Sequence, residues 1–440
     1  MGVPFLSVLL CVICPVALQL WKPKLVLVLY VVVLLLSPTI FQDWGPWNGI
    51  TLDMIFLYVA FIAALLKALV SGQPLKGESV ILGYALYLAI GVFATLTALV
   101  SLWDEWSVSI LGWLQGFVRP LLVLLLFYWT VRKPSDVIWV VQTVVLLAII
   151  TTVIGLMQGA DVGPVVTIVQ DHYPPDLRPE LRWSAGRTTA TFDGNPNSFA
   201  TFLVITLSAT VSMVAARRRS LPPLSRLLIA AFVPLGALAL LTTGSKSGFV
   251  AMGGALAMLI VLAPRRPRRF IVMALILAIP LFILVTNAID IGRVNRVTSN
   301  YALSVEDRLE TWQANLKGFY ANPVFGSGRS PDLTITDSQY VLELRERGML
   351  GLLALGVLLT LIVRKALFLY RSTVSSPFEA GLALGVLTMT SGLLINGIAS
   401  TVFIGQRTGE VFWIFVGLLI SSVAIRSREQ SRGATIPGHG

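Results

Sequence analysis

The sequence predicts an all-α, polytopic integral membrane protein. It should form a helical bundle of about 12–13 transmembrane helices with two long loops on the extracytoplasmic side. Three observations lead there. First, 56% of the 440 residues are hydrophobic and 12% are charged, where a soluble globular chain is about a quarter charged. Second, the apolar residues fall in runs of roughly 17–23, the length a helix needs to cross a hydrocarbon layer about 30 Å thick. Third, the basic residues crowd into alternate short connections: Arg217, Arg218, Arg219 and Arg226, then Arg265, Arg266, Arg268 and Arg269, then Arg364, Lys365 and Arg371. That alternation retains Lys/Arg loops on the cytoplasmic side and orients the spans. The net charge of +11 is therefore a topology signal, and no nucleic-acid partner is expected.

Spans are expected near residues 4–20, 24–40, 51–70, 79–101, 107–130, 136–158, 197–215, 224–242, 248–263, 270–288, 348–369, 377–399 and 406–425. Met1–Leu20 has neither a basic n-region nor a clear small-residue cleavage site. It reads as a first span or a half-buried helix rather than a signal peptide. Trp44, Trp47, Trp103, Trp106 and Trp413 sit near run ends, as interfacial aromatics do. The organisation that follows is an N-terminal group of helices (1–158), a first long outer loop (159–196) and central helices (197–288). A second long outer loop with an amphipathic helix (289–347), C-terminal helices (348–425) and a cytoplasmic tail (426–440) complete it. Cys11 and Cys14 lie within the first apolar run and read as small apolar residues, and two histidines make a His-based metal centre improbable.

Long loops in a compact chain carry function or disorder, so the chemistry is sought there. In the second loop, Ser304-Val-Glu306-Asp resembles a capping box, and Asn322-Pro323 stops the helix it begins. Arg308 and Trp312, four residues apart, fall on one face of that helix. Three groups of polar residues recur around the loops. Arg187-Thr-Thr-Ala-Thr-Phe192-Asp-Gly194-Asn195-Pro196-Asn197 runs straight into an apolar span. Arg308-Leu-Glu-Thr-Trp312 is followed by Asn322-Pro323-Val-Phe325-Gly326-Ser-Gly328. Asp337-Ser338-Gln339-Tyr340 precedes Glu343 and Gly348-Met-Leu-Gly351 at the start of the next span.

Together these resemble the O-antigen ligase/polymerase superfamily, whose members handle glycans on polyprenyl diphosphate carriers. The resemblance covers roughly residues 185–352 and rests on the order and topological placement of the pieces. Thr243-Gly-Ser245-Lys246-Ser-Gly248 resembles a further family signature in which Arg usually replaces Lys246. The family's ligases typically place a His where this chain has Asp337. Acidic versions look closer to the polymerases of O-antigens, capsules and exopolysaccharides, so polymerase is the first expectation and O-antigen ligase the alternative.

Glycosyl transfer from a polyprenyl diphosphate must stabilise the charge of the departing diphosphate and remove a proton from the acceptor hydroxyl. Arginine suits the first task because it stays charged and presents a planar fork to phosphate oxygens. Arg187 and Arg308 are the candidates, and Asp337 is the candidate base. Each has a second reading. Arg187 fits an interfacial anchor, Arg308 fits a pair with Glu306 or Glu310, and Asp337 fits a helix N-cap. Asn195, with Pro196 behind it, also reads as a capped helix start. Lys246, Asn195, Asn197, Trp312, Gln339 and Tyr340 are candidate substrate contacts. So is Arg119, read near the middle of a span, where a charge usually faces a polar cavity or pairs with another helix. His172 in the first loop could stand in for the missing histidine in space.

No cofactor or metal is expected, because arginines can carry the charge and the resemblance implies a metal-independent reaction. The expected partners are a polyprenyl-diphosphate-linked glycan donor, a glycan or lipid acceptor and the bilayer, with room for a chain-length regulator. The expected location is the bacterial cytoplasmic (inner) membrane. A lipid-linked glycan transporter is the reading from another class, against which the absence of a recognisable internal repeat counts. A purely structural or assembly partner would tolerate loss of Arg187, Arg308 and Asp337.

Overall fold

The computed structural model describes residues 2–37, 51–71, 78–99, 114–172, 187–192, 195–217, 221–263, 308–328, 337–372, 376–404 and 407–434. Throughout these the secondary structure is helical, with no strand among the described residues. In chain order the helices are α1 (Gly2–Trp21), α2 (Pro23–Leu36), α3 (Leu52–Val70), α4 (Ser79–Leu99) and α5 (Arg119–Thr130). They continue as α6 (Pro134–Gly159), α7 (Gly163–His172), α8 (Pro196–Arg217), α9 (Pro223–Thr243) and α10 (Lys246–Leu262). The last are α11 (308–321), α12 (Gln339–Arg371), α13 (Pro377–Asn396) and α14 (Thr408–Ala434).

Eight of the described helices are long and apolar enough to cross a membrane, and four shorter apolar ones accompany them. The chain is thus a multi-pass helical membrane protein. The span expected at 270–288 lies outside the described residues, as do Ser304 and Glu306. The first long loop is not all loop: α7 forms within it and buries Val169.

Several helix boundaries follow from local chemistry. Proline opens α2, α6, α8, α9 and α13, where its missing N–H would have had no partner anyway. Ser37 ends α2 in an extended conformation, as the residue before Pro38 must. Ser376 and Glu379 form a reciprocal capping box on α13, and Glu379 also pairs with Arg426 near the other end of the chain. The run read as a span from residue 348 begins at a real break: Gly348 has φ +62° and separates the first turns of α12 from its long apolar part.

Among the described spanning helices, α8, α13 and α14 are the most deeply buried. Helices α8 and α13 approach closely because Gly381 faces the Met213 backbone and Gly385 faces Ala209. Small residues at such contacts let membrane helices gain dispersion energy where no hydrophobic drive exists between them and lipid. At the basic end of the bundle, Lys365 of α12 pairs with Glu78 just before α4 at 2.6 Å. The starts of α8, α10, α12 and α14 gather at the opposite end with the close of α9.

Candidate active site

The segment 187–192 is the keystone of that end, and it is held from three sides. Gln158, at the close of α6, accepts from the backbone N–H groups of Thr189 (2.9 Å) and Ala190 (3.0 Å). Thr188 N–H donates to Thr242 O at 3.3 Å. Arg407, just before α14, donates to the carbonyls of Thr191 and Ser37. These bonds leave the Arg187 side chain lying across the C-terminus of α9. Its Nε donates to Thr243 O at 2.8 Å, satisfying a carbonyl that the end of a helix leaves orphaned. Gly244, with φ +59°, turns the chain beneath the guanidinium. Arg187 Nη2 donates to Asn197 Oδ1 at 3.0 Å, and the same oxygen accepts from Ser245 Oγ at 2.8 Å. Asn195 caps α8 through Oδ1, which accepts from Asn197 N (2.9 Å) and Ser198 N (3.2 Å). Ser245 caps α10 by accepting from Gly248 N. Lys246 follows that cap at an exposed position.

Arg308 reaches the same place from α11. Its Nε lies 3.0 Å from Asp337 Oδ2, with 30% and 45% of the two side chains exposed. Arg308 thus has a longer-range partner than the Glu310 expected on its own helix, while Glu306 lies outside the described residues. The capping role read for Asp337 is also corrected. Ser338 is the N-cap of α12, its Oγ accepting from Val341 N, which frees Asp337 to face Arg308. Burial is the main cause lowering the proton affinity of Arg187, and the positive charge of Arg308 lowers it further. Two guanidiniums that repel one another, one of them half-buried, make a site that an anion relieves.

Trp312 stands one turn along α11 from Arg308, and among the described residues its Nε1–H has no hydrogen-bond partner. Gln339 is fully buried and hydrogen-bonded within the protein. Its Nε2 donates to Glu343 Oε1 at 2.7 Å, its Oε1 accepts from Phe403 N at 3.2 Å, and its backbone N–H donates to Gly397 O at 2.9 Å. Tyr340 is half-buried, with its hydroxyl donating to Leu394 O. These two residues fasten the start of α12 to the close of α13 rather than presenting groups to the cluster. His172 closes α7 at an exposed position, and among the described residues no hydrogen bond joins it to Arg308 or Asp337.

Arg119 belongs elsewhere. It is 1% exposed and pairs with Asp53, in the first turn of α3, and with Glu410, in the first turn of α14. Glu410 also accepts from Tyr30 Oη. The mid-span position read for Arg119 therefore lies level with the starts of two helices. With the nearby Arg407, the quartet holds two positive and two negative side chains, the balance that burial of charge demands.

A second buried network went unrecognised in the sequence. Arg347 Nη1 donates to Glu343 Oε2 at 2.5 Å, Tyr87 Oη donates to Glu343 Oε1 at 2.5 Å, and the guanidinium stacks 3.5 Å from the Phe117 ring centre. The Glu343–Arg347 spacing of four in a helical stretch was the available signal.

A multi-pass helical membrane protein with an arginine- and carboxylate-bearing cluster at one end of its bundle is the class that fold and site define. Residues 230–350 match the O-antigen ligase family model (Wzy_C), and the match supports the O-antigen ligase/polymerase resemblance and a membrane glycan-processing role. It spans Lys246, Arg308, Trp312 and Asp337, and leaves Arg187, Asn195 and Asn197 before its start. No curated protein matches the chain.

Proposed function

We propose that the protein is a glycosyltransferase of the bacterial cytoplasmic membrane that polymerises polyprenyl-diphosphate-linked repeat units on the extracytoplasmic face. One observation carries this reading: Arg308 pairs with Asp337 at the end of the bundle opposite the basic loops, close enough to Arg187 for its charge to act there. The two arginines receive the donor's diphosphate. The bond between the anomeric carbon and the phosphate oxygen breaks, and the electron pair leaves on the diphosphate, held by the guanidiniums. The acceptor hydroxyl forms the new glycosidic bond and passes its proton to Asp337. In this reading the arginines carry the charge, and neither metal nor organic cofactor takes part. Trp312 and Lys246 border the same region and contact the glycan or phosphate.

The family description favours a second reading, transfer to a lipid A core or another acceptor. Reconstitution with lipid-linked repeat units alone separates the two. A ladder of longer lipid-linked glycans supports polymerase, whereas product formed only after lipid A core is added supports ligase. Silence with both, given a competent donor, contradicts the transferase reading.

A further inference from the structure

The turn that follows α11 is built unlike a solvated loop. Asn322 O accepts from Gly326 N at 2.8 Å, and Ser327 N and Gly328 N donate to Arg345 O (2.7 Å) and Glu346 O (3.0 Å). Pro323 O and Val324 O accept from Met349 N (2.9 Å) and Leu350 N (3.2 Å). Gly326 and Gly348, both at positive φ, press backbone against backbone, and a Cβ on either would be driven into the backbone of the other segment. Irregular backbone survives at membrane depth only where its polar groups are satisfied by protein, and here they are.

The side chains point the other way. Val324 and Phe325 are 51% and 41% exposed. The Phe325 ring lies 4.9 Å from that of Phe93 on α4, within the segment of α4 apolar enough to cross a membrane. Phe93 is itself exposed, as are Leu96 of α4 and Met349 and Leu353 of α12, so the turn continues an apolar surface shared by two spanning helices.

Helix geometry gives the depth twice. From Ser79, beside the Glu78–Lys365 pair, to Phe93 is 14 residues, which at 1.5 Å each is about 21 Å. From Lys365 back to Met349 is 16 residues, or about 24 Å. Both fall short of the roughly 30 Å of a hydrocarbon core.

We infer that the turn spanning Asn322–Gly328 is a re-entrant element seated in the acyl–headgroup boundary of the bilayer. Val324 and Phe325 face lipid between α4 and α12. Helix α11 then lies on the membrane surface. Leu309 and Tyr320 share its lipid-side edge, and the exposed Glu310 and Lys317 face water. The occupant of the apolar surface is membrane lipid, and the inference stands independently of the reaction assigned to the site.

Spin labels on the full chain test it. Cysteines would be placed singly at Val324, Phe325 and Tyr320, with Glu310 and Leu353 as references, after Cys11→Ser and Cys14→Ser. The protein would be reconstituted in phosphatidylethanolamine/phosphatidylglycerol vesicles. Collision with dissolved oxygen, which concentrates in lipid, would be compared with collision with a water-soluble nickel chelate. The expected oxygen-to-nickel ratio at Val324 and Phe325 is several-fold above that at Glu310 and close to that at Leu353, with Tyr320 between. Ratios at Val324 and Phe325 equal to that at Glu310 would overturn the inference. So would low access to both agents, which would mean that protein, such as a second copy of this chain, covers the surface.

Discussion

Arg308 of α11 and Asp337, just ahead of the cap of α12, meet at 3.0 Å, and both remain partly open to solvent. A half-exposed ion pair stabilises a fold by only about 0–1 kcal/mol. In the proposed reaction, an arriving diphosphate would displace the carboxylate from the guanidinium without unfolding anything. That separation would leave Asp337 to accept a proton beside the guanidinium that binds the leaving diphosphate.

Asp337→Asn should accordingly leave the melting temperature of the detergent-solubilised protein nearly unchanged. Turnover of lipid-linked glycan should fall about a hundredfold or more, the usual contribution of a positioned base. Size-exclusion behaviour after heating, measured beside the rate, checks both halves.

Arg187 differs because its side chain is tied to Thr243 O and Asn197 Oδ1. Arg187→Ala should cost about 1–3 kcal/mol of stability, from the partners left unsatisfied, and should also lower activity. Arg187→Lys restores the charge but not the fork. It is expected to recover stability in part and donor affinity little, which thermal unfolding and the apparent KM for donor would read out.

Gly326→Ala and Gly348→Ala each place a Cβ against the opposing backbone at positive φ. Strain of this kind falls in the upper tail of single-residue effects, about 4 kcal/mol or more. The expected outcome is loss of monodisperse protein. A well-folded Gly348→Ala variant would show that the break in α12 is not held by this contact.

Glu343→Gln leaves the buried Arg347 without its hydrogen-bonded carboxylate, and breaking a buried pair typically costs about 3–5 kcal/mol. Pairing it with Arg347→Met should recover much of that loss, and a double-mutant cycle on thermal stability measures the coupling. Because Gln339, two residues after Asp337, bonds Glu343, the single variant should also slow turnover through the misplaced start of α12.

Much of the architecture was legible because long apolar runs and alternating basic loops are local signals. Asn322-Pro323 marked the end of α11, and Asn195-Pro196 the start of α8, for reasons of backbone chemistry alone. Pairings across the bundle were not legible. Nothing near Arg119 in sequence points to Asp53 or Glu410, and nothing near Arg308 selects Asp337 over the adjacent glutamates. Both choices are made by how helices stack, which periodicity does not encode. Asp337 and Ser338 are equally good capping residues on paper, and the approach of α11 decides between them. Gln339 and Tyr340 sit in a polar motif yet serve the α12–α13 junction, since a buried amide bonds whatever backbone the fold brings near.

The rate of glycan-ladder growth in proteoliposomes supplied with polyprenyl-diphosphate-linked repeat units tests the proposed site most directly. Wild type would be compared with Arg308→Ala and Asp337→Asn at matched amounts of monodisperse protein. Wild type is expected to give a ladder, and both variants are expected to lose it almost completely. Undiminished ladders from either well-folded variant would contradict the assignment of this cluster as the active site.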